Sequence, residues 1–321
     1  MPQFCGGMGD IMKKQTLVVA LGRSAFGETF PEQRKNVSKA AKAIADLVEA
    51  NYRIVITHSN GPQVGMVHTA MTEFSRLDDR YTVAPMSLCG AMSQGYIGFD
   101  LQNAIRTELL NRGIFKPVST IITQVKVDPF DKAFSNPSKV IGRYMSKEEA
   151  DAEERKGNYV VEEEKGYRRI IAAPQPLDIY EIDAIKALVD ADQIVIAGGG
   201  GGVPVLEQGT VLKGASAIIE KDLTAAKLAE LLHADTLLFL TGVEKVALDY
   251  GTENEKYLDS LTTNEATQYM NEGYFAEGAM LPKVNAAVSF VNEASDKKAI
   301  ITKIERAMDA LSGKTGTIIT K

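Results

Sequence analysis

The chain has 321 residues, 45% hydrophobic and 24% charged, with a net charge of −6. That length can bury a large core as one α/β unit or two lobes, and the acidic balance without a basic face argues against sequence-independent nucleic-acid binding. Cys5 and Cys89 have no CxxC partner and His58, His68 and His233 form no HExxH pattern, which argues against a zinc site or a disulfide framework.

In chain order, residues 1–11 read as a leader or upstream start outside the fold. "MKKQTLVVALG" from Met12 has the outline of a small signal peptide. Its apolar run is brief, however, and Arg23 and Glu28 follow at once, so "TLVVAL" (16–21) reads as a buried strand. No apolar run approaches the roughly 18 residues of a membrane span, and a cytoplasmic enzyme is expected. "NVSKAAKAIADLVEAN" (36–51) puts Val37, Ala40, Ala41, Ile44 and Leu47 or Val48 on one helical stripe. Cys89 reads as a small buried residue. Further strands are expected at 53–57, 119–127, 193–197, 236–240, 298–302 and 316–320. Helices are expected at 92–112, 178–190, 222–233, 263–272, 283–294 and 304–312. Several strands lack period-2 alternation, as strands covered on both faces do. Strand–helix alternation then implies a largely parallel, doubly wound α/β sheet.

Residues 128–172 break the alternation. They are polar, charged and Pro-containing, and "NYVVEEEKGYRRIIA" reads as a hairpin. The segment is either a solvated surface insertion or a small subdomain that closes over a site, and the second reading is preferred.

Glycine-rich places mark candidate chemistry. "ALGRSAFGE" (20–28) leaves the first strand, with Arg23 where a second glycine might stand. "THSNGPQVG" (57–65) leaves the second strand, and its Asn60-Gly61 pair permits a tight turn with positive φ. The helix after it would offer unpaired N–H groups to an anion. "AGGGGGVPV" (197–205) fails as a dinucleotide fingerprint, because strand and turn rather than helix follow it. "GKT" (313–315) fails as a P-loop, because Met308 occupies the glycine position. Five consecutive glycines still suggest bare backbone approached closely by phosphate, the bland alternative being a flexible surface turn. Lys221-Asp222 and Lys283 stand at two helix starts. Asp222 is either a simple N-cap or a group that orients Lys221 or a metal-bound water. A lysine at a helix start is expected to be exposed.

Taken together, "NGPQVG" (60–65), "CGAMSQGYIGFDLQNA" (89–104), "TQVKVDPFDKAFSNPSKVIG" (123–142), "KGYRRIIAAPQPLDI" (165–179), "GGGGVPV" (199–205), "GASAIIEKDLTAAKLAE" (214–230) and "GAMLPKV" (278–284) resemble the carbamate kinase family, within the amino acid kinase superfamily. The likeness runs from about Lys14 to Lys321. It implies reversible phosphoryl transfer between ATP and carbamate, with Mg²⁺ carried mainly by ATP oxygens and water and no protein cage for it. It implies a three-layer α/β/α sandwich, as one domain over 12–321 with a small protruding subdomain at about 126–173. A homodimer is implied, with no nucleic-acid or membrane partner. A related kinase forming another acyl phosphate and a non-catalytic nucleotide-binding homologue are the alternatives.

The resemblance also assigns roles. Gly22, Arg23, Ser24, Asn60 and Gly61 would face the transferred group and carbamate. Gly199, Gly200, Gly201 and Gly202 would line the phosphate path. Lys221 and Lys283 would neutralise phosphate charge and Asp222 would organise them. Thr241, Tyr250, Gly251 and Lys283 would border the nucleotide. Such chemistry rests on positioning and charge stabilisation, and carbamate, already an anionic nucleophile, needs no general base. The family's Gly-Gly-Asn is here Gly22-Arg23-Ser24, its Gly-Asn-Gly is Ser59-Asn60-Gly61, and its Thr-Asp-Val is Thr241-Gly242-Val243. Pro129 or Phe130 stands where most members have a lysine, with Lys126 and Lys132 nearby but not aligned to it, and Leu281 replaces a glycine. If position 23 required positive φ, Arg23 would be strained. Its guanidinium would then either grip an anion or plug the acceptor pocket.

Overall fold

The structure, a computed structural model, describes residues 14–78 and 80–321. The expected leader at 1–11 lies outside the described residues. The chain begins with β1 (Thr16–Leu21), α1 (Phe30–Glu49), β2 (Arg53–His58), α2 (Gly61–Leu77), α3 (Met86–Asn111), β3 (Val118–Thr120) and β4 (Gln124–Lys126). β5 (Lys139–Met145), α4 (Lys147–Arg155), β6 (Tyr159–Glu163) and β7 (Gly166–Ile171) follow. Next come β8 (Asp178–Ile179), α5 (Ile182–Asp190), β9 (Ile194–Ile196), β10 (Val203–Gln208), β11 (Val211–Gly214) and α6 (Lys221–Leu231). The last elements are β12 (Thr236–Thr241), β13 (Val246–Leu248), β14 (Lys256–Leu258), β15 (Ser260–Thr262), α7 (Thr263–Asn271), α8 (Leu281–Asn292), β16 (Lys298–Lys303), α9 (Ala307–Leu311) and β17 (Thr317–Thr320).

Eight strands form the central sheet in the order β15-β17-β16-β12-β1-β2-β9-β3. Every pairing in it is parallel except β16 with β17. All six residues of β1 are buried, and alternate ones serve two cores. Leu17, Val19 and Leu21 join α1 and α3 through Ile44, Leu47, Ile97 and Leu101. Val18 and Ala20 join α5, α6 and α8 through Ile185, Leu228, Val284 and Phe290. A sheet covered on both faces makes three layers and explains the unbroken aliphatic runs. Among the described residues no helix is long and apolar enough to cross a membrane.

Local signals set the helix ends. Thr29 and Glu32 form a reciprocal capping box at the start of α1, with Pro31 in its first turn, so α1 begins six residues before the expected stripe. The expected helix over 178–190 is a two-residue strand followed by α5. That over 304–312 is a 3₁₀ turn, Ile304–Arg306, followed by α9.

The expected strand over 119–127 is two strands in two sheets. β3 pairs with β9 in the central sheet, whereas β4 pairs with β10 and β8 in a second sheet ordered β11-β10-β4-β8. Gln94 of α3 is buried and fixes the crossing. Its Oε1 accepts from Thr123 N (2.8 Å) and its Nε2 donates to the Thr123 carbonyl (3.3 Å). Bonds satisfied by a side chain let the backbone leave the sheet without orphaned polar groups.

A third, accessory sheet is ordered β5-β7-β6 and antiparallel throughout, with α4 packed against it. β6 and β7 form the hairpin read in "NYVVEEEKGYRRIIA".

Candidate active site

β1 and β2 are neighbours, and both end at the same edge as the glycine run after β9. Together with the starts of α2, α6 and α8 and with accessory β5 and β7, they wall a cleft of about 580 Å³. Arg23, Lys139, Arg143, Arg168, Lys221 and Lys283 line it, against the carboxylates Glu28, Glu220 and Asp222. That excess of cations favours an anionic ligand.

The start of α6 carries the charged cluster. Glu220 is the N-cap residue, so Asp222 is not the cap; its side chain instead points to two lysines. Asp222 Oδ1 accepts from Lys221 Nζ, and Asp222 Oδ2 lies 3.2 Å from Lys283 Nζ. Lys283 also donates to the Ala279 carbonyl at 3.0 Å. Only 4% of the Asp222 side chain, 13% of Lys221 and 12% of Lys283 is exposed. The expected exposure of Lys221 is therefore corrected: α8, arriving some 60 residues later, folds over it. Burial pulls the Lys221 ammonium below the ordinary lysine range, and the charge of Lys283 adds to this, while Asp222 opposes it. Burial pushes the Asp222 carboxyl up, but the two lysines outweigh burial and hold it below the usual carboxylate range.

The glycine run is a built loop. Gly198, Gly200, Gly201 and Gly202 all have positive φ, between 64° and 93°. A Cβ on Gly199 would lie 2.2 Å from His58 Nε2, on Gly200 2.0 Å from Asn60 Nδ2, and on Gly201 2.1 Å from the Ile219 carbonyl oxygen. The protein's own groups approach this backbone. Gly200 opens onto the cleft, while Gly199, Gly201 and Gly202 are buried. His58 is fully buried, edge-on to Phe26 at 5.8 Å. Burial, helped by Lys221, lowers its pKa to about 4 against the opposing Ser59 carbonyl, so the ring is neutral at neutral pH.

Neither Asn60 nor Gly61 has positive φ, which corrects the expected tight turn. Asn60 is the N-cap residue of α2 and Gly61 its first residue, because the chain enters the helix directly. The first backbone bond there is Val64 N to the Asn60 carbonyl, so the Gly61 N–H is free of intrahelical partners. Asn60 Nδ2 donates to Ser93 Oγ at 2.8 Å.

Gly22 is buried, and its N–H donates to the Leu240 carbonyl at 2.8 Å, inside the sheet. Arg23 and Ser24 are exposed in a 3₁₀ turn. Arg23 has no positive φ, so the anticipated strain is absent. Its guanidinium pairs with Glu28 and is 65% exposed, so it stands at the cleft mouth and does not plug it. Thr241 lies beside Gly22, near the position a Cβ would take there. Tyr250 and Gly251 occupy the exposed turn between β13 and β14. None of Thr241, Tyr250 and Gly251 lines the cleft.

Sequence reasoning missed Lys139 and Arg168, which reach the cleft from the accessory sheet, and Lys139 pairs with Glu220 at the head of α6. Phe130 is 90% exposed, and Lys126 pairs with Glu207 away from the cleft. The signal for Lys139 was "NPSKVIG", whose lysine had no assigned role.

The family model described as "Amino acid kinase family" matches residues 15–303. The chain is 48% identical over 305 residues to the carbamate kinase-like protein YqeA of Escherichia coli, covering 94% of this chain and 98% of that one. It is 44% identical over 312 residues to the carbamate kinase of Clostridium perfringens, covering 95% and 99%. Among solved structures, carbamate kinase from Giardia lamblia bound to AMP-PNP matches with a TM-score of 0.90 and 36% identity, covering 96% of this chain and 99% of that one.

Proposed function

The chain belongs to the amino acid kinase family, and from that premise we propose that it is a carbamate kinase-like phosphotransferase, interconverting ATP plus carbamate with ADP plus carbamoyl phosphate. The observation that carries this reading is the buried Lys221–Asp222–Lys283 cluster on the wall of a cation-rich cleft. In the ATP-forming direction an oxygen of the ADP β-phosphate forms a bond to phosphorus as the bond from phosphorus to the carbamate oxygen breaks. Carbamate leaves as an anion and no proton moves. Charge on the transferred group is the barrier, and fixed cations lower it. Lys221 and Lys283 supply those cations, and Asp222 fixes their spacing while the site is empty of phosphate.

The Gly61 N–H at the start of α2 and the amide of Asn60 face the acceptor, with Gly22, Arg23 and Ser24 bordering it. The Gly199–Gly202 loop lies along the phosphate path, with Gly200 its open member. Thr241, Tyr250 and Gly251 border the nucleotide outside the cleft. From the accessory sheet, Lys139 adds a further cation to the cleft. Residues 126–173 act as the protruding subdomain that brings it. Among the described residues no group of three or more His, Cys, Asp or Glu side chains is placed to hold a metal. Asp222 is held by two lysines, so Mg²⁺ is assigned to the nucleotide phosphates. α2 and α3 leave Phe74, Leu77, Leu88, Met92 and Phe99 exposed, and these side chains are assigned to the interface of a cytoplasmic homodimer.

The test is ATP formation from ADP, Mg²⁺ and carbamoyl phosphate. The full chain should turn over, and Lys221→Met should lower kcat by about 10²-fold or more. Nucleotide binding without turnover by the unaltered chain would refute the assignment.

A further inference from the structure

A second cavity, of about 430 Å³, lies beside the candidate active cleft. One wall is the body of the protein: α2 (His68, Thr72, Arg76), residues 83–87 and Ser216 after β11. The other is the accessory sheet: Ile141, Gly142, Arg143 and Met145 of β5, Arg169 and Ile171 of β7, and Glu153, Lys156 and Asn158 around the end of α4. Lys221, Asp222 and Lys283 do not line it.

Its chemistry is mixed in a particular way. Val83, Pro85, Met86, Met145 and Ile171 give an apolar surface. Four cations, Arg76, Arg143, Lys156 and Arg169, face it against two lining carboxylates, Glu73 and Glu153, with Arg143 also paired to Glu149 behind the lining, which leaves one cation in excess. Glu153 already accepts from Lys156 (2.7 Å) and Asn158 (2.8 Å). Arg169 donates to Asn158 Oδ1 at 2.7 Å, yet its Nε is buried without a hydrogen-bond partner, with Glu153 3.7 Å away. A buried guanidinium N–H left unpaired is costly, and an acceptor brought by a ligand would relieve it. Half-buried His68, held below its ordinary pKa by burial and by Arg169 against the opposing Glu153, also lines the cavity.

We propose that this cavity is a binding site for a small organic carboxylate with an apolar body, held by Arg169 and seated on the Val83–Met86 surface. Such an occupant touches both walls and bridges the accessory sheet to α2. The volume lies within the range of small-molecule pockets. The cavity adjoins the cleft and shares His68, Thr69, Met86, Ile141, Gly142 and Arg143 with it, but no residue of the Lys221 cluster takes part.

The probe is phenylacetate, with phenethylamine as the charge control. Isothermal titration calorimetry on the full chain should show phenylacetate binding and no binding of the amine. Hydrogen exchange should slow in both Ile141–Met145 and α2. Ser216→Trp fills the cavity from an exposed position and should weaken binding at least tenfold. Arg169→Met should do the same, and Lys221→Met should leave binding within about twofold. Folding of each variant is checked by its circular dichroism spectrum. The proposal fails if phenylacetate does not bind, if the amine binds equally well, or if binding survives Ser216→Trp and is lost in Lys221→Met, which would put the probe in the neighbouring cleft.

Discussion

Replacing Asp222 by asparagine keeps the shape of the charged cluster and removes its only anion. At 3.2 Å from Lys283 Nζ, a unit charge pair in an effective dielectric of 20 attracts by about 5 kcal/mol. The desolvation that opposes this has already been met by all three nearly buried groups. Removing one partner of a buried pair then costs roughly 3–5 kcal/mol, because the remaining charges stay uncompensated. Here two ammonium groups would be left facing each other. Asp222→Asn should therefore lower the unfolding free energy by about that amount, read from urea denaturation. Asp222 is also the group that holds the Lys221 pKa up against burial and Lys283. Its loss should shift the alkaline limb of the kcat profile to lower pH. Sulfate should stabilise the variant more than the unaltered chain, since an anion would replace the missing carboxylate. A loss below about 1 kcal/mol, with the alkaline limb unmoved, would show that the three groups are not electrostatically coupled.

Other outcomes can be checked in parallel. Below the unfolded value near 6.5, the unfolded chain takes up a proton that His58 refuses until about 4. Stability should therefore fall by about 3 kcal/mol as pH drops through that window, and His58→Gln should remove this share of the pH dependence in denaturation curves. Gly201→Ala sets a side chain at φ +93° against the Ile219 carbonyl oxygen and should destabilise by at least roughly 2 kcal/mol. Gly61→Ala has open space and no positive φ; it should leave the melting temperature unchanged or raised and alter KM for carbamoyl phosphate. Arg23→Gly should raise that KM about two- to fivefold with kcat little changed, since the guanidinium lines the cleft mouth and is paired only with an exposed Glu28; a gain in kcat would show that Arg23 obstructs the site.

The layers were legible because burial on both faces writes unbroken aliphatic runs such as 16–21, and amphipathic helices write stripes such as Val37–Val48. The break inside 119–127 was not legible. An apolar run does not record which sheet it enters, and the arbiter, Gln94, lies in a helix some 30 residues earlier. α4 had a readable start in Ser146 and Glu149, a capping box, but it lay inside a segment read only as polar. Lys221-Asp222 stood out by position, whereas their burial depended on α8. The φ of Asn60-Gly61 was misread because the pair suits both a tight turn and a helix start, and only the bonds that follow decide between them. Lys139 came from another sheet, and no local pattern links it to Glu220.

The Gly198–Gly202 loop is fastened by three fully buried threonines. Thr57 Oγ1 donates to the Gly198 carbonyl, Thr224 Oγ1 donates to the Gly201 carbonyl, and Thr123 accepts from Gly198 N through its hydroxyl and from Val203 N through its carbonyl, each at 2.8 Å. Valine, the same shape, would orphan the three hydroxyl contacts and leave only the Thr123 carbonyl contact, while serine would keep all four. Five glycines in a row would ordinarily be the most disordered stretch of a chain, and here the disorder has been surrendered during folding. A ligand arriving at this loop meets a rigid surface and loses no loop entropy on binding. Any ordering that accompanies binding must then fall on segments other than this loop, so the calorimetric entropy of nucleotide association should carry no contribution from the glycines.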